Sequence, residues 1–325
     1  MTAADVADHA GVSRSAVSRA FTEGAYLDED KRQRILTSAM QLGYHPNAMA
    51  AAMTGARSNL IAVFSGAINS EYDSEMLSHL ISALNVAEKW PVLLSGDPAL
   101  PEDALLSILR YPLDALIVRG GSVSPALLES CLKLNIPVIV SGHVAHEAGP
   151  DCVARRNDGS ARMATELLLD RGRSKFAYIG GPEDWSSELE RLNGVRSCLA
   201  GQSLELVAMT HGDYTFDGGR NAARDLFGSA SEIDALICAN DAMALGALSH
   251  LRHEAKLDVP GAVSVIGFDD IAMASWPEFN LTTVRNPIGE TVDAILRLLE
   301  ERLNWPEKPP EIVSIEPSLQ LRGTH

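Results

Sequence analysis

Arg14, Ser15, Ser18 and Arg19 recur at the spacing that puts them on one face of a helix, and their hydroxyls and guanidinium forks suit phosphate oxygens and the major-groove acceptors of guanine. A second polar set follows short apolar runs. Asn240 and Asp241 come after residues 235–239, Asp269 and Asp270 after 263–268, Arg119 after 115–118, and Ser141, Gly142 and His143 after 137–140. Amides and carboxylates so placed bind vicinal hydroxyls bidentately, while Tyr72, Trp185, Tyr214 and Trp276 offer flat faces to a sugar ring. Any one of these residues alone also fits a helix cap or a core aromatic; several at matching positions favour a polyol or sugar ligand.

The first set needs a rigid mount, and the residues around it supply one. Val6, Ala7 and Ala10 form an apolar stripe, Gly11 permits a tight turn, Ser13 caps a second helix, and Val12, Val17 and Phe21 make the facing stripe. Two short helices joined this way read as a helix-turn-helix. A solvated surface helix is the plain alternative, and the following residues weaken it. A third helix from Asp28, with Glu29 and Asp30 at its positive end, buries Ile35, Ala39 and Leu42 and stops at Gly43. Residues 44–55 then hold a proline start, an alanine-rich turn or two of helix and a glycine stop, too short to be stable alone.

The second set needs strand ends. From Leu60 onward apolar runs at 60–64, 91–94, 115–118, 137–140, 176–179, 235–238 and 263–268 alternate with helical patterns such as 74–89, 160–171 and 242–253. Such alternation means parallel sheets covered on both faces, with ligands beyond the carboxyl ends of the strands. The length beyond residue 57 exceeds one comfortable core, so two sheets side by side are expected. No internal repeat or low-complexity tract stands out in the sequence.

Composition narrows the classes. The 325 residues are 46% hydrophobic with a net charge of −16, which opposes binding to a polyanion, but residues 1–57 carry six basic and six acidic side chains. A neutral head on an acidic body repels DNA everywhere except at its docking surface. No window approaches a membrane span, and the opening Met-Thr-Ala-Ala-Asp lacks the basic and apolar stretches of a secretion signal, so a cytoplasmic chain is expected. Cys131, Cys152, Cys198 and Cys238 show no paired spacing, which argues against zinc and a disulfide framework; they read as reduced and mostly buried. No metal, no cofactor and no nucleophile–base pair is expected, and the 179–182 glycine loop lacks a full phosphate-binding pattern.

At this point the chain resembles the lactose/galactose repressor (LacI/GalR) family along essentially its whole length. The carrying segments are 5–19, 42–48, 178–182, 239–248, 259–270 and 281–284. The resemblance implies an all-α helix-turn-helix head and an α/β core of two parallel-sheet subdomains like a periplasmic binding protein. It implies a homodimer on a pseudo-palindromic double-stranded DNA operator, with a small effector between the subdomains. Ser13, Arg14, Ser15, Ser18 and Arg19 then meet DNA, Arg14 and Ser15 at base edges. Asn47, Ala48 and Met53 lie on a hinge helix, Met53 where relatives commonly insert a leucine wedge, and Ala51 replaces a frequently basic position. Arg191 matches a ligand-gripping arginine and Tyr214 a stacking aromatic. Tyr72, Asp73, Arg119, His143, Trp185, Asn240, Asp269 and Trp276 complete the implied effector set.

Departures from the family pattern at Gly142-His143, Arg156 and Ala67 together reduce negative charge near the cleft. With Arg119, Arg155, Arg156 and Arg191 nearby, the effector is a sugar, a sugar acid or a sugar phosphate; the alternative for Arg155 and Arg156 is that they point into solvent. The expected organisation is a DNA-binding domain at 1–45, a hinge at 46–57 and an effector and dimerisation core at 58–325. The core divides into an N-subdomain (about 58–157 and 286–316) and a C-subdomain (about 158–285). A transporter's solute-binding protein and a sugar- or nucleotide-using enzyme are the rival readings. The end of the chain carries no leucine heptad, so a dimer and not a tail-built tetramer is expected.

Overall fold

The computed structural model describes residues 1–22, 24–45, 57–65, 68, 70–94, 106–119, 125–142, 149–183, 185–229 and 232–325. Internal contacts divide the chain into two units, Met1–Asn59 and Leu60–His325.

Among its described residues the first unit holds three helices, α1 (Ala3–Ala10), α2 (Arg14–Ala20) and α3 (Glu29–Leu42). Thr2 and Asp5 form a reciprocal capping box at the start of α1, and Gly11, at φ 63°, closes it in the left-handed region that a side chain disfavours. Ser13 caps α2 through the Ala16 N–H, and Asp28 caps α3 from outside through the Lys31 N–H. Val6, Ala7, Ala10, Ala16, Val17, Ala20, Ile35 and Ala39 form the core, with Val12 and Leu42 only partly buried. Phe21 departs from the expected stripe. It ends α2 at the surface, its ring edge-on to Tyr44 at 5.9 Å.

The second unit contains two six-stranded sheets. The first is β1 (Leu60–Phe64), β2 (Trp90–Leu94), β3 (Ala115–Arg119), β4 (Val138–Ser141), β5 (Asp151–Arg155) and β11 (Ile312–Ile315), in the order β11-β5-β4-β3-β1-β2. The second is β6 (Phe176–Gly180), β7 (Leu206–His211), β8 (Ala235–Cys238), β9 (Ser264–Asp269), β10 (Thr282–Arg285) and β12 (Ser318–Gln320), in the order β12-β10-β9-β8-β6-β7. Among the described residues all strand pairs are parallel except β10 with β12. The two orders are the same pattern in successive halves, so the repeat lies in topology without one in sequence. Each sheet switches direction beside its first strand, which opens a crevice at the carboxyl ends of β1/β3 and of β6/β8.

Central strands β3, β6, β8 and β9 are buried on both faces, as a parallel sheet under helices requires. In β1 the faces separate by alternation: Ile61 and Val63 enter the main core, Ala62 and Phe64 a second cluster with Leu127 and Cys131. The covering helices are α4 (Glu71–Val86), α5 (Pro125–Lys133), α6 (Asn157–Asp170), α7 (Ser186–Ala200), α8 (Phe216–Ser229), α9 (Asp241–Ser249) and α10 (Ile288–Asn304). The chain passes between sheets three times, at 155–157, 285–288 and 315–318. The final residues, which the sequence left unassigned, belong to the second sheet: Thr324 exchanges backbone and hydroxyl bonds with Val265 and Thr282.

All four cysteines are free and buried, and burial raises the Cys131 thiol to about 11. Among the described residues no helix is long and apolar enough to cross a membrane, and no cluster of three metal-ligating side chains occurs.

Candidate functional site

The first candidate surface is the outer face of α2. Its inner face, Ala16, Val17 and Ala20, is committed to the three-helix core, so Arg14, Ser15, Ser18 and Arg19 necessarily face outward, and all four are exposed, as is Ser13. Ser13 and Ser15 share a 2.9 Å hydroxyl bond, and Arg19 Nε donates to the Ser15 carbonyl at 3.2 Å, which leaves the rest of its guanidinium fork outward. Arg32 on α3 fixes the far end of this helix. It donates to the carbonyls of Ala20 at 2.6 Å and Ala25 at 2.7 Å, where a helix carries unsatisfied acceptors. Asn47, Ala48, Ala51 and Met53 lie outside the described residues.

The second candidate is the cleft at the carboxyl ends of the two sheets. From the second sheet, Arg191 on α7 is buried, donates to the Ala239 carbonyl at 2.5 Å, lies 3.8 Å from Asp269 Oδ1, and stacks 5.1 Å above the Phe268 ring. Among the described residues its Nε has no partner. Asp269 ends β9 at φ 112° and Asp270 follows at φ 62°, two consecutive non-glycine residues in the left-handed half of the map. Such backbone costs about 1–3 kcal/mol per residue and persists where the surroundings hold it. Asn286 donates to Asp269 at 2.8 Å; Arg285 and Arg322 grip Asp270 at 2.7 and 2.5 Å. Burial raises the Asp269 carboxyl above its ordinary pKa, opposed by the charges of Arg191 and Arg155.

Tyr214 and Trp185 stand together, ring centroids 5.4 Å apart and tilted by 54°. Gly181 makes room: a Cβ there would sit 2.1 Å from the Tyr214 ring. Asn240 holds the Tyr214 carbonyl at 3.0 Å with its amide N–H and caps α9 through Met243 at 2.9 Å with its oxygen. Asn240 is thus a helix cap whose amide is already engaged at both ends. From the first sheet, Arg119 ends β3 and makes two bonds to Asp73, one to the carboxylate at 3.1 Å and one to the carbonyl at 3.2 Å. Arg155, ending β5, lies 5.3 Å above the Tyr72 ring. The sets are electrostatically joined, since Asp73 and Arg155 both act on Asp269.

Among the described residues, neither a hydrogen bond nor a ring contact joins the Trp276 side chain to this set, and half its surface is exposed. Arg156 is the arginine that points outward, 3.4 Å from the exposed Glu316. Asp241 and Asp270, both at strand ends, do structural work: Asp241 accepts from Thr283 at 2.5 Å and the Ile271 N–H at 3.0 Å beneath β9. His143 and Ala67 lie outside the described residues.

Comparison with known proteins decides between the readings. Residues 2–47 match the model of bacterial regulatory proteins of the lacI family, and residues 165–325 match that of the periplasmic binding protein-like domain. The HTH-type transcriptional regulator CelR of Thermobifida fusca is 28% identical over 98% of this chain and 96% of its own length. The ribose operon repressor of Escherichia coli K12 is 26% identical over 99% of each.

The chain carries a lacI-family regulatory head and a periplasmic binding protein-like domain.

Two solved structures share its fold. A CelR–cellobiose complex, 27% identical, covers all of both chains with a TM-score of 0.75. A lac repressor dimer bound to operator and an anti-inducer, 24% identical, superposes at 0.88 over all of this chain and 98% of its own. This chain is a DNA-binding transcriptional regulator and not an enzyme.

One cleft residue of this chain was not singled out from the sequence. Glu188, one helical turn before Arg191 on α7, is buried, accepts from the Gly181 N–H at 2.8 Å and the Tyr178 hydroxyl at 3.2 Å, and among the described residues leaves Oε1 unpartnered. Burial raises its carboxyl pKa. The i, i+3 spacing to Arg191 was its only sequence signal.

Proposed function

We propose that this chain is a repressor that binds a pseudo-palindromic double-stranded operator as a homodimer and releases or retains it according to a sugar-like effector in the cleft between its two sheets. In this reading 1–45 reads DNA, 46–57 forms the hinge carrying Asn47, Ala48 and Met53, and 58–325 senses the effector and dimerises. Ser13, Arg14, Ser15, Ser18 and Arg19 make the groove and phosphate contacts. Arg191, Asp269, Tyr214, Trp185, Tyr72, Asp73 and Arg119 surround the effector.

The observation that carries the reading is Arg191: a buried guanidinium with an unpartnered Nε, loosely paired to Asp269 at the carboxyl ends of the strands. Groups so placed can give and accept hydrogen bonds to vicinal hydroxyls without displacing a tight ion pair. The cellobiose in the CelR complex and the name of the ribose operon repressor support a sugar in that position. The operator-bound lac repressor dimer supports the DNA and homodimer terms. An effector works here only by binding one arrangement of the two sheets better than the other; the three strand-to-strand passages at 155–157, 285–288 and 315–318 are the pivots.

Selection of duplexes from a randomised pool by the full chain tests the DNA term. Enrichment of a two-fold symmetric site with half-sites about one helical turn apart is expected; enrichment of nothing, or of an asymmetric site, would overturn it. Thermal shift against sugars, sugar acids and nucleosides tests the effector term, because a ligand at about a hundred times its Kd stabilises by about 2.7 kcal/mol.

A further inference from the structure

We propose that the effector carries an anionic group, a carboxylate or a phosphate, and that Arg155 binds it; this rests on the cleft reading above and names the chemical class that cleft takes. Arg155 ends β5, so its side chain leaves the first sheet at the edge where ligands bind, and its guanidinium lies 5.3 Å over the Tyr72 ring. Stacking on an aromatic face leaves the in-plane donors of a guanidinium available.

Its neighbours are already engaged. Arg119 is paired with Asp73, Arg191 with Asp269 and the Ala239 carbonyl, and Arg156 with Glu316. Among the described residues Arg155 has neither a carboxylate within ion-pair distance nor a hydrogen-bond acceptor for its guanidinium. Three guanidinium groups therefore face two engaged carboxylates, Asp73 and Asp269. Glu188 is held by the Gly181 N–H and the Tyr178 hydroxyl and makes no ion pair with Arg155. Arg155 and Arg119 also repel, which lowers the pKa of Arg119 beyond the effect of its burial.

Closure on an uncharged sugar would satisfy Asp269 and Arg191 yet strip water from Arg155 with nothing in exchange, a costly outcome for a cation. Closure on an anion replaces that water with a bidentate, charge-assisted pair and cancels the excess charge. Arg155 as a mere packing partner of Tyr72 is the competing account, and it predicts no preference among ligands.

The test titrates the full chain with matched probes: galactose against galacturonate, glucose against glucose 6-phosphate, then a wider panel of sugars with their aldonic acids, uronic acids and phosphates. The anionic member of a pair binds at least about tenfold tighter than its neutral partner, and the preference shrinks between about 50 mM and 500 mM salt. The galacturonate and glucose 6-phosphate arms separate carboxylate from phosphate. Arg155→Gln removes the preference by weakening the anionic probes, with neutral sugars bound at least as tightly as by wild type because no cation is left to desolvate, and Arg155→Lys retains part of it, which covers the case in which the glutamine variant folds poorly. Neutral sugars binding as tightly as their acids, or a preference that survives in Arg155→Gln, overturns this inference and leaves the sugar cleft standing. Failure of every member of the panel to bind overturns both.

Discussion

Arg191 Nη2 and Asp269 Oδ1 lie 3.8 Å apart, both buried, and Asp269 already accepts from Asn286. A charge-assisted bond closes to about 2.7–2.9 Å, so this pair leaves space for a hydroxyl to bridge it, donating to the carboxylate and accepting from the guanidinium. Asp269→Asn keeps the size of the side chain but removes its charge. The ligand-induced thermal shift should disappear while operator affinity stays within about twofold, since the substitution removes one charge-assisted acceptor worth about 1.5–3 kcal/mol. Isothermal titration and a gel-shift on the same preparation check both halves.

Gly181 gives a second handle on the cleft. Gly181→Ala drives a methyl group into the Tyr214 ring, and Tyr214 is tied at its carbonyl by Asn240, so the ring must swing away from Trp185. Effector affinity should fall at least about tenfold at a cost of about 1–3 kcal/mol in stability, as for overpacking elsewhere. Unchanged affinity in titration would remove Tyr214 from the binding surface.

How far the sequence reached depended on whether a residue's role is local. β1 and β8 occupy the stretches expected, because a strand buried on both faces is a continuous apolar run. β5, β7 and β10 were not read as strands. β7 is a half-buried edge, and β10 buries Thr282 and Thr283, whose hydroxyls are satisfied only by Asp241 and the chain's last residues. The cap at Ser13 was legible, since its partner lies three residues away, whereas Asp28, read as the start of the third helix, caps it from outside. Asn240 looked like a ligand residue for the same reason it is a cap: an amide directly after a strand and before a helix. Glu188 and Arg155 depend on Gly181, Tyr178 and Tyr72, which only the folded sheets bring near.

Arg32 ties α3 to the carboxyl end of α2 through the carbonyls of Ala20 and Ala25. Arg32→Met should destabilise the three-helix unit by about 1.5–3 kcal/mol, the range for hydrogen bonds to a charged group. Amide exchange in α2 of the free protein should accelerate, and operator affinity should drop with it. Exchange at the wild-type rate would mean that α2 holds its position without the clamp.

Acid should loosen the first sheet through Glu311. Its hydrogen bonds with Arg297 and Lys308 lower its pKa from 4.5 to about 2. A carboxyl depressed on folding contributes stability that is fully present above 4.5 and lost as pH falls toward about 2. Glu311→Gln should lower the melting temperature at neutral pH and flatten its dependence over that interval. A parallel pH profile in the variant would assign the acid response to other groups.

The central claim is that one chain carries a DNA-reading face and an effector cleft that separate substitutions can silence independently. The direct measurement compares full-length Arg19→Ala and Arg191→Met with wild type, using operator binding by fluorescence anisotropy and effector binding by thermal shift. The account predicts that Arg19→Ala loses operator affinity at least about tenfold, one good groove contact being worth about 1–3 kcal/mol, and keeps the full effector shift. Arg191→Met should bind operator like wild type and lose both the shift and the effector's influence on DNA. Wild-type operator affinity in Arg19→Ala, or an intact effector response in Arg191→Met, would contradict it.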